Sequence, residues 1–223
     1  SILQNAATSI GLTAPAVGFS SVDPAIIQLR TLMNEEGNEL ARGGSGFEHP
    51  WTVLITEKTF TTTAAAIQAS SVATDFGWYI NGTFWNRTTV QRITGPISPD
   101  EWQQVQANTA TGIFPQFRFR GSSLLITPTP TAGETAAYEY VSKNWAQTSG
   151  AVGLSAMTAD TDTALLEERL IELGVRWRYL KAKGLDYAED YRTYQIEVGK
   201  AIARDGGRKT LRLGGTPPRI YDG

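Results

Sequence analysis

The chain contains no cysteine, which excludes disulfides and thiolate metal sites. It has a single histidine, His49, so a two-histidine metal site cannot form and no imidazole is to spare for a catalytic relay. No stretch of apolar residues approaches the ~18 that span a bilayer, and no membrane partner is expected. The opening SILQNAATSIGL lacks the basic region and long apolar segment of a secretory signal. Phosphate-binding glycine loops and H-E-x-x-H are absent, and Ser45 stands in GGSGF rather than in a G-x-S-x-G elbow. Charge of either sign is scarcely in excess. The net value of −2 speaks against a general nucleic-acid binder. These absences point away from an enzyme, and no cofactor or metal is expected.

What the chain does have is centred on Thr158 to Asp205. Leu166, Leu170, Leu173, Trp177 and Leu180 recur at helical spacing and predict one apolar face. After Lys183-Gly184, Tyr187, Tyr191, Tyr194, Val198 and Ala201 repeat the spacing, with Asp186 as cap and Glu189 three residues on. Two short-linked amphipathic helices predict an antiparallel pair that needs further helices to cover it. Near the other end, Ile2 to Ile10 reads as a short helix. Asp23-Pro24 starts another that runs to about Arg42, with Glu35, Glu36 and Glu39 on its exposed side.

Between these ends the pattern is β-rich. WTVLITEKTFTTTAA and TAAYEYVSKNW read as strands, FPQFRFRGSSLLITP as a hairpin that turns at Gly121-Ser122, and Asn81-Gly82 between aromatic runs predicts another hairpin. SPDEWQQVQAN is a brief capped helix. The expected fold is therefore α+β: a helical bundle built from both chain ends (1–48 and 156–205), a β-rich insertion (49–155) and an extended C-terminal arm (206–223).

The arm carries the first candidate contact. Arg208, Lys209, Arg212 and Arg219 alternate with Leu211, Leu213, Ile220 and Tyr221 around Pro217-Pro218, a composition richer in apolar residues than a solvated tail needs. Further candidates are Glu35 and Glu36 against Arg176 and Lys181, complementary charges that fit a subunit contact and a pairing within the chain equally well. Trp78 and Trp85 flank the predicted hairpin. The adjacent carboxylates Glu35-Glu36, Glu167-Glu168 and Glu189-Asp190 point about 100° apart on their helices and do not flank one bond.

In order along the chain, NEEGNELAR, TFTTTA, TFWNRT, GPISPDEWQ, FRFRG, AYEYVSKNW, TADTDTALLEE and GLDYAEDY together form a series from about Asn34 to Tyr194. This series resembles the head-to-tail adaptor proteins of short-tailed bacteriophages. The resemblance implies a ring, typically of twelve copies, beneath the portal protein in the virion. Such a ring is assembled in the host cytoplasm, passes double-stranded DNA transiently and without sequence preference, and seats the tail nozzle and the tail fibres or spikes. On this chain it implies that Arg208 to Tyr221 grip the portal. The glycine-rich GGSGFEHPW departs from the bulkier segment expected there. The competing functions are a phage-borne peptidoglycan hydrolase acting through two carboxylates, and a carbohydrate-binding tail module.

Overall fold

The computed structural model describes residues 1–43, 49–108 and 114–206. Among them lie five helices: α1 (Ile2–Ser9), α2 (Pro24–Ala41), α3 (Pro99–Ala107), α4 (Glu168–Ala182) and α5 (Ala188–Asp205). The longer strands are β1 (Ile55–Thr61), β3 (Phe76–Tyr79), β6 (Gln116–Arg120), β7 (Ser123–Thr127) and β8 (Thr135–Ser142). Two-residue strands complete the set: β2 (Ile67–Gln68), β4 (Trp85–Asn86), β5 (Gln91–Arg92), β9 (Ala146–Gln147), β10 (Gly153–Leu154) and β11 (Thr163–Ala164).

The local signals explain most helix boundaries. Asp23 accepts from the Ala25 N–H with Pro24 at the first helical position, and Ser98 and Glu101 form a reciprocal capping box at α3. Gly184, at φ +70°, ends α4. The start of α4 is later than the periodicity suggests. Residues 158–167 are irregular around β11, because Asp162 folds the chain back by accepting from the Thr158 and Ala159 N–H groups. Leu166 is buried but lies outside the helix.

The strands make three antiparallel sheets, and β8 organises them. It pairs with β1 along one side, in register from Ile55 opposite Val141 to Thr61 opposite Thr135. Along its other side it pairs with β3 and then with β4, which continues to β5. Asn81-Gly82 is therefore not a hairpin turn. β3 and β4 run in the same direction along one side of β8, and residues 80–83 bulge out between them. Thr83 fills the gap, its hydroxyl donating to Ile80 O and accepting from the Glu139 N–H. The second sheet, β2-β7-β6, holds the expected tight hairpin at Gly121-Ser122, and the third, β10-β9-β11, is small.

Two cores result, one on each face of β8. Ala136, Tyr138 and Tyr140 point into an aromatic core with Phe60, Phe84, Phe117, Leu124 and Ile126 from the facing strands. Val141 points the other way, toward the helices. The period-2 alternation of one strand thus serves both.

The expectation of a helical bundle interrupted by a β-rich insertion is corrected by this arrangement. The helices do not close a core of their own. α4 packs against α1, α2 and α5, and buries Ile171, Gly174, Val175 and Tyr179 as well as Leu170, Leu173 and Trp177. Its surroundings are completed by Trp51, Leu54, Val141, Trp145 and Ala146, all from the segment read as an insertion, and by Met157 just beyond it. The physical reason lies in the stripes: amphipathic helices this short leave apolar surface that only the sheet covers. Trp145 shows the fit. Its ring lies where a Cβ on Gly37 would stand only 2.3 Å away, so α2 carries glycine there to let the indole in.

Candidate functional site

The arm singled out from sequence, Arg208, Lys209, Leu211, Arg212, Leu213, Pro217, Pro218, Arg219, Ile220 and Tyr221, lies outside the described residues. Its root does not. The last turn of α5 is fastened to the chain entering β1 by Asp205. Its carboxylate accepts from the Thr52 N–H at 2.8 Å and from the Thr52 hydroxyl at 2.5 Å, and lies 2.9 Å from His49 Nε2. Burial alone would raise the Asp205 pKa, but the hydrogen bonds from Thr52 and His49 outweigh it and hold the carboxyl below its ordinary value.

His49 in turn stands edge-on to Trp51, with ring centroids 5.1 Å apart, and Trp51 Nε1 donates to Leu40 O at 2.9 Å. Gly206 rests against the His49 ring. The ends of α2 and α5 and the start of the first sheet are thus tied at one point. A shallow cleft beside it is lined by Trp51, Val53, Leu165, Leu166, Ala201 and Arg204. The lone histidine belongs to this clamp.

The candidate subunit contacts divide. Glu35 is exposed. Glu36, expected on the same exposed side, is 0% exposed, and this corrects its assignment as a surface contact. It passes between helices: Arg178 Nε donates to Glu36 Oε2 at 2.6 Å, and the carboxylate presses so closely on Gly174 that a Cβ there would meet Glu36 Cδ at 2.2 Å. Burial raises the Glu36 pKa above the ordinary carboxylate value, although a hydrogen bond from Tyr194 and the Arg178 charge oppose the shift.

Arg176 is likewise engaged within the chain, 2.7 Å from Asp190 across the α4–α5 pair. Lys181 is exposed, its ammonium 5.7 Å from the Trp177 ring centre and 6.0 Å from that of Tyr187. Trp78 is half-buried against the helical core. Trp85 is 42% exposed on the solvent face of the first sheet, beside Ala137 and the Arg87–Glu57 ion pair.

Asp75 sits at the rim of the aromatic core, with partners that sequence reasoning did not foresee. It accepts from the Tyr140 hydroxyl at 2.8 Å and from the Ser142 hydroxyl at 2.7 Å. Burial, reinforced by the Asp75 charge, pushes the Tyr140 pKa up, so the phenol stays a donor. Nothing local in the sequence joins Asp75 to Tyr140, because the link follows from the pairing of β3 with β8. Among the described residues no three His, Asp or Glu side chains gather as metal ligands would. Compared with known proteins, the chain matches no family model and no curated protein.

Proposed function

We propose that the chain is a structural virion protein, the head-to-tail adaptor of a short-tailed bacteriophage. It forms a ring of about twelve copies beneath the portal protein. The ring lengthens the channel through which double-stranded DNA passes, and it seats the tail nozzle and the fibres or spikes. No catalytic step and no cofactor enter this role. The observation that carries the reading is the ordered series of eight sequence segments from Asn34 to Tyr194, each short but all in sequence.

Two physical features support it. A gripping arm needs a fixed base, and Asp205 clamps the residue before Gly206 to Thr52 and His49. A net charge of −2 suits a channel in which DNA must slide, since each phosphate neutralised by a cation strengthens retention. Of the contacts between neighbouring copies, Glu35, Lys181 and Trp85 remain available at the surface, whereas Glu36 and Arg176 are engaged internally.

The test is the native mass of the chain mixed with the portal ring encoded beside it. A species of portal plus a full ring, abolished by deleting residues 208–223, is expected. A chain that stays free of the portal overturns the reading. One observation favours a carbohydrate-binding tail module instead, the exposed indole of Trp85. Quenching of its emission by a cell-wall oligosaccharide would support that alternative.

A further inference from the structure

Among the described residues an Asn or Asp precedes a glycine at Asn81-Gly82 and at Asp205-Gly206. Such a pair can close on itself. The glycine nitrogen, with no side chain crowding it, reaches the side-chain carbonyl carbon of the residue before and forms a five-membered ring. The fold treats the two pairs in opposite ways. At Asp205 both reacting groups are engaged. The Gly206 N–H donates to Ile202 O at the end of α5, and the carboxylate is held by the Thr52 N–H, the Thr52 hydroxyl and His49. Those bonds also keep the carboxylate ionised, and in that form it is a poor electrophile.

Asn81-Gly82 stands in the open. Asn81 is exposed, in the bulge between β3 and β4. The ladder to β8 is carried on either side of it, by the Ile80 N–H donating to Glu139 O and by Trp85 opposite Ala137. The turn is closed by a side chain, the Thr83 hydroxyl donating to Ile80 O at 2.7 Å. The peptide joining residues 81 and 82 can therefore rotate while those contacts stay in place. Gly82 has φ +83°, which disfavours any other residue, and Arg92 Nη2 lies 2.9 Å from where a Cβ would stand. The fold thus keeps, directly after Asn81, the one residue that leaves the attacking nitrogen bare.

We propose that Asn81 is a site of covalent self-modification in the folded protein, deamidating through a succinimide. The Gly82 nitrogen loses its proton to solvent and forms a bond to Asn81 Cγ. The Cγ–Nδ2 bond breaks, and Nδ2 leaves as ammonia with a proton returned from solvent. Water then opens the ring. Cleavage between the nitrogen and Cγ gives aspartate, and cleavage between the nitrogen and the main-chain carbonyl carbon gives isoaspartate, whose backbone runs through Cβ and Cγ. Nothing is oxidised or reduced. The bulge absorbs the extra backbone atom, because the strand pairings lie on either side of it. The new carboxylate forms near Arg92, which stands opposite Trp85 in the sheet, so the surface around the exposed indole gains negative charge. The modification does not depend on the portal reading, and its test uses the isolated chain.

The full chain is incubated in mildly alkaline buffer, folded and, in parallel, unfolded in guanidinium chloride. Peptide mass mapping with chromatographic separation of isomers follows deamidation at Asn81 and isomerisation at Asp205. The quantity compared is the ratio of folded to unfolded rate at each site. At Asn81 the folded rate is expected within ~10-fold of the unfolded one, since only local motion is needed. At Asp205 the ratio should be at least ~100-fold lower than at Asn81, because the clamp must open first. A ratio at Asn81 as low as that at Asp205 overturns the proposal, since the fold then protects both. A gain of negative charge that persists in Asn81→Ser overturns the assignment to this residue. The modified chain, separated by its added charge, is expected to keep the melting midpoint of the parent. A product that unfolds overturns the role given to the bulge.

Discussion

The two cores on either face of β8 handle polarity in opposite ways. The aromatic core is a continuous cluster of Phe60, Phe76, Tyr79, Phe84, Phe117, Phe119, Tyr138 and Tyr140, with most rings edge-on or tilted to their neighbours. Its polar atoms sit at the margin, where the Tyr138 hydroxyl donates to Ser71 O and the Tyr140 hydroxyl to Asp75. The helical core instead carries a carboxylate in its midst. Glu36 joins α2 to α4 through Arg178. A core with its polar groups at the rim loses them one at a time. A core with a charge in the middle depends on that charge keeping its partner.

The sharpest way to break the helical side is Arg178→Met, which leaves Glu36 buried and unpaired. A loss of ~3–5 kcal/mol is expected in urea unfolding at neutral pH, shrinking in acid as Glu36 takes up a proton. The paired change Glu36→Leu with Arg178→Met should recover most of it. If the single variant unfolds like the parent, the ion pair is not what joins these helices. Gly37→Ala tests the same core by shape. The added methyl must displace the Trp145 ring, at a cost of ~1–3 kcal/mol in the same measurement. On the aromatic side Tyr138→Phe keeps the ring and removes one hydrogen bond. It should cost only ~1 kcal/mol, and a much larger loss would mean that the rim hydroxyl is no minor term.

The smallest effect concerns pH. Below the unfolded-chain value both states of Glu36 hold a proton, and it adds no slope. Between that value and the raised folded value only the folded state holds the proton, so stability falls as pH rises. Glu36→Gln should abolish this fall. Asp205 runs the other way: its lowered pKa gives stability at higher pH that is lost as pH drops through the folded value, and Asp205→Asn should flatten that acid limb. Unfolding midpoints stepped from acid to neutral separate the two. Parallel curves for parent and Glu36→Gln would show that Glu36 is not titrating in this window.

How much of this was legible depended on range. Caps at Asp23 and Ser98, the Gly184 stop and the Gly121 hairpin are local, and sequence alone located them. The bulge at 80–83 was misread because Asn81-Gly82 does carry the chemistry of a tight turn. What decides its geometry is Thr83 meeting Glu139, a partner far along the chain. Glu36 was placed on the exposed side for a related reason. Its neighbours Glu35 and Glu39 mark a polar face, while Gly174 and Arg178, which admit and pair it, come from another helix. The division of labour on β8 also escaped, since alternation shows that a strand has two faces but not that both are buried.

The placement of the six tryptophans gives the molecule a reporter for one of its cores. Trp51, Trp78, Trp145 and Trp177 belong to the helical core, and none belongs to the aromatic one, which is built from phenylalanine and tyrosine. With Trp85 and Trp102, which lie outside the helical core, changed to phenylalanine, indole emission follows that core, while far-ultraviolet dichroism follows the whole backbone, sheets included. Heated in a single sample, the two signals will coincide if β8 welds both cores into one cooperative unit, and will separate if it does not.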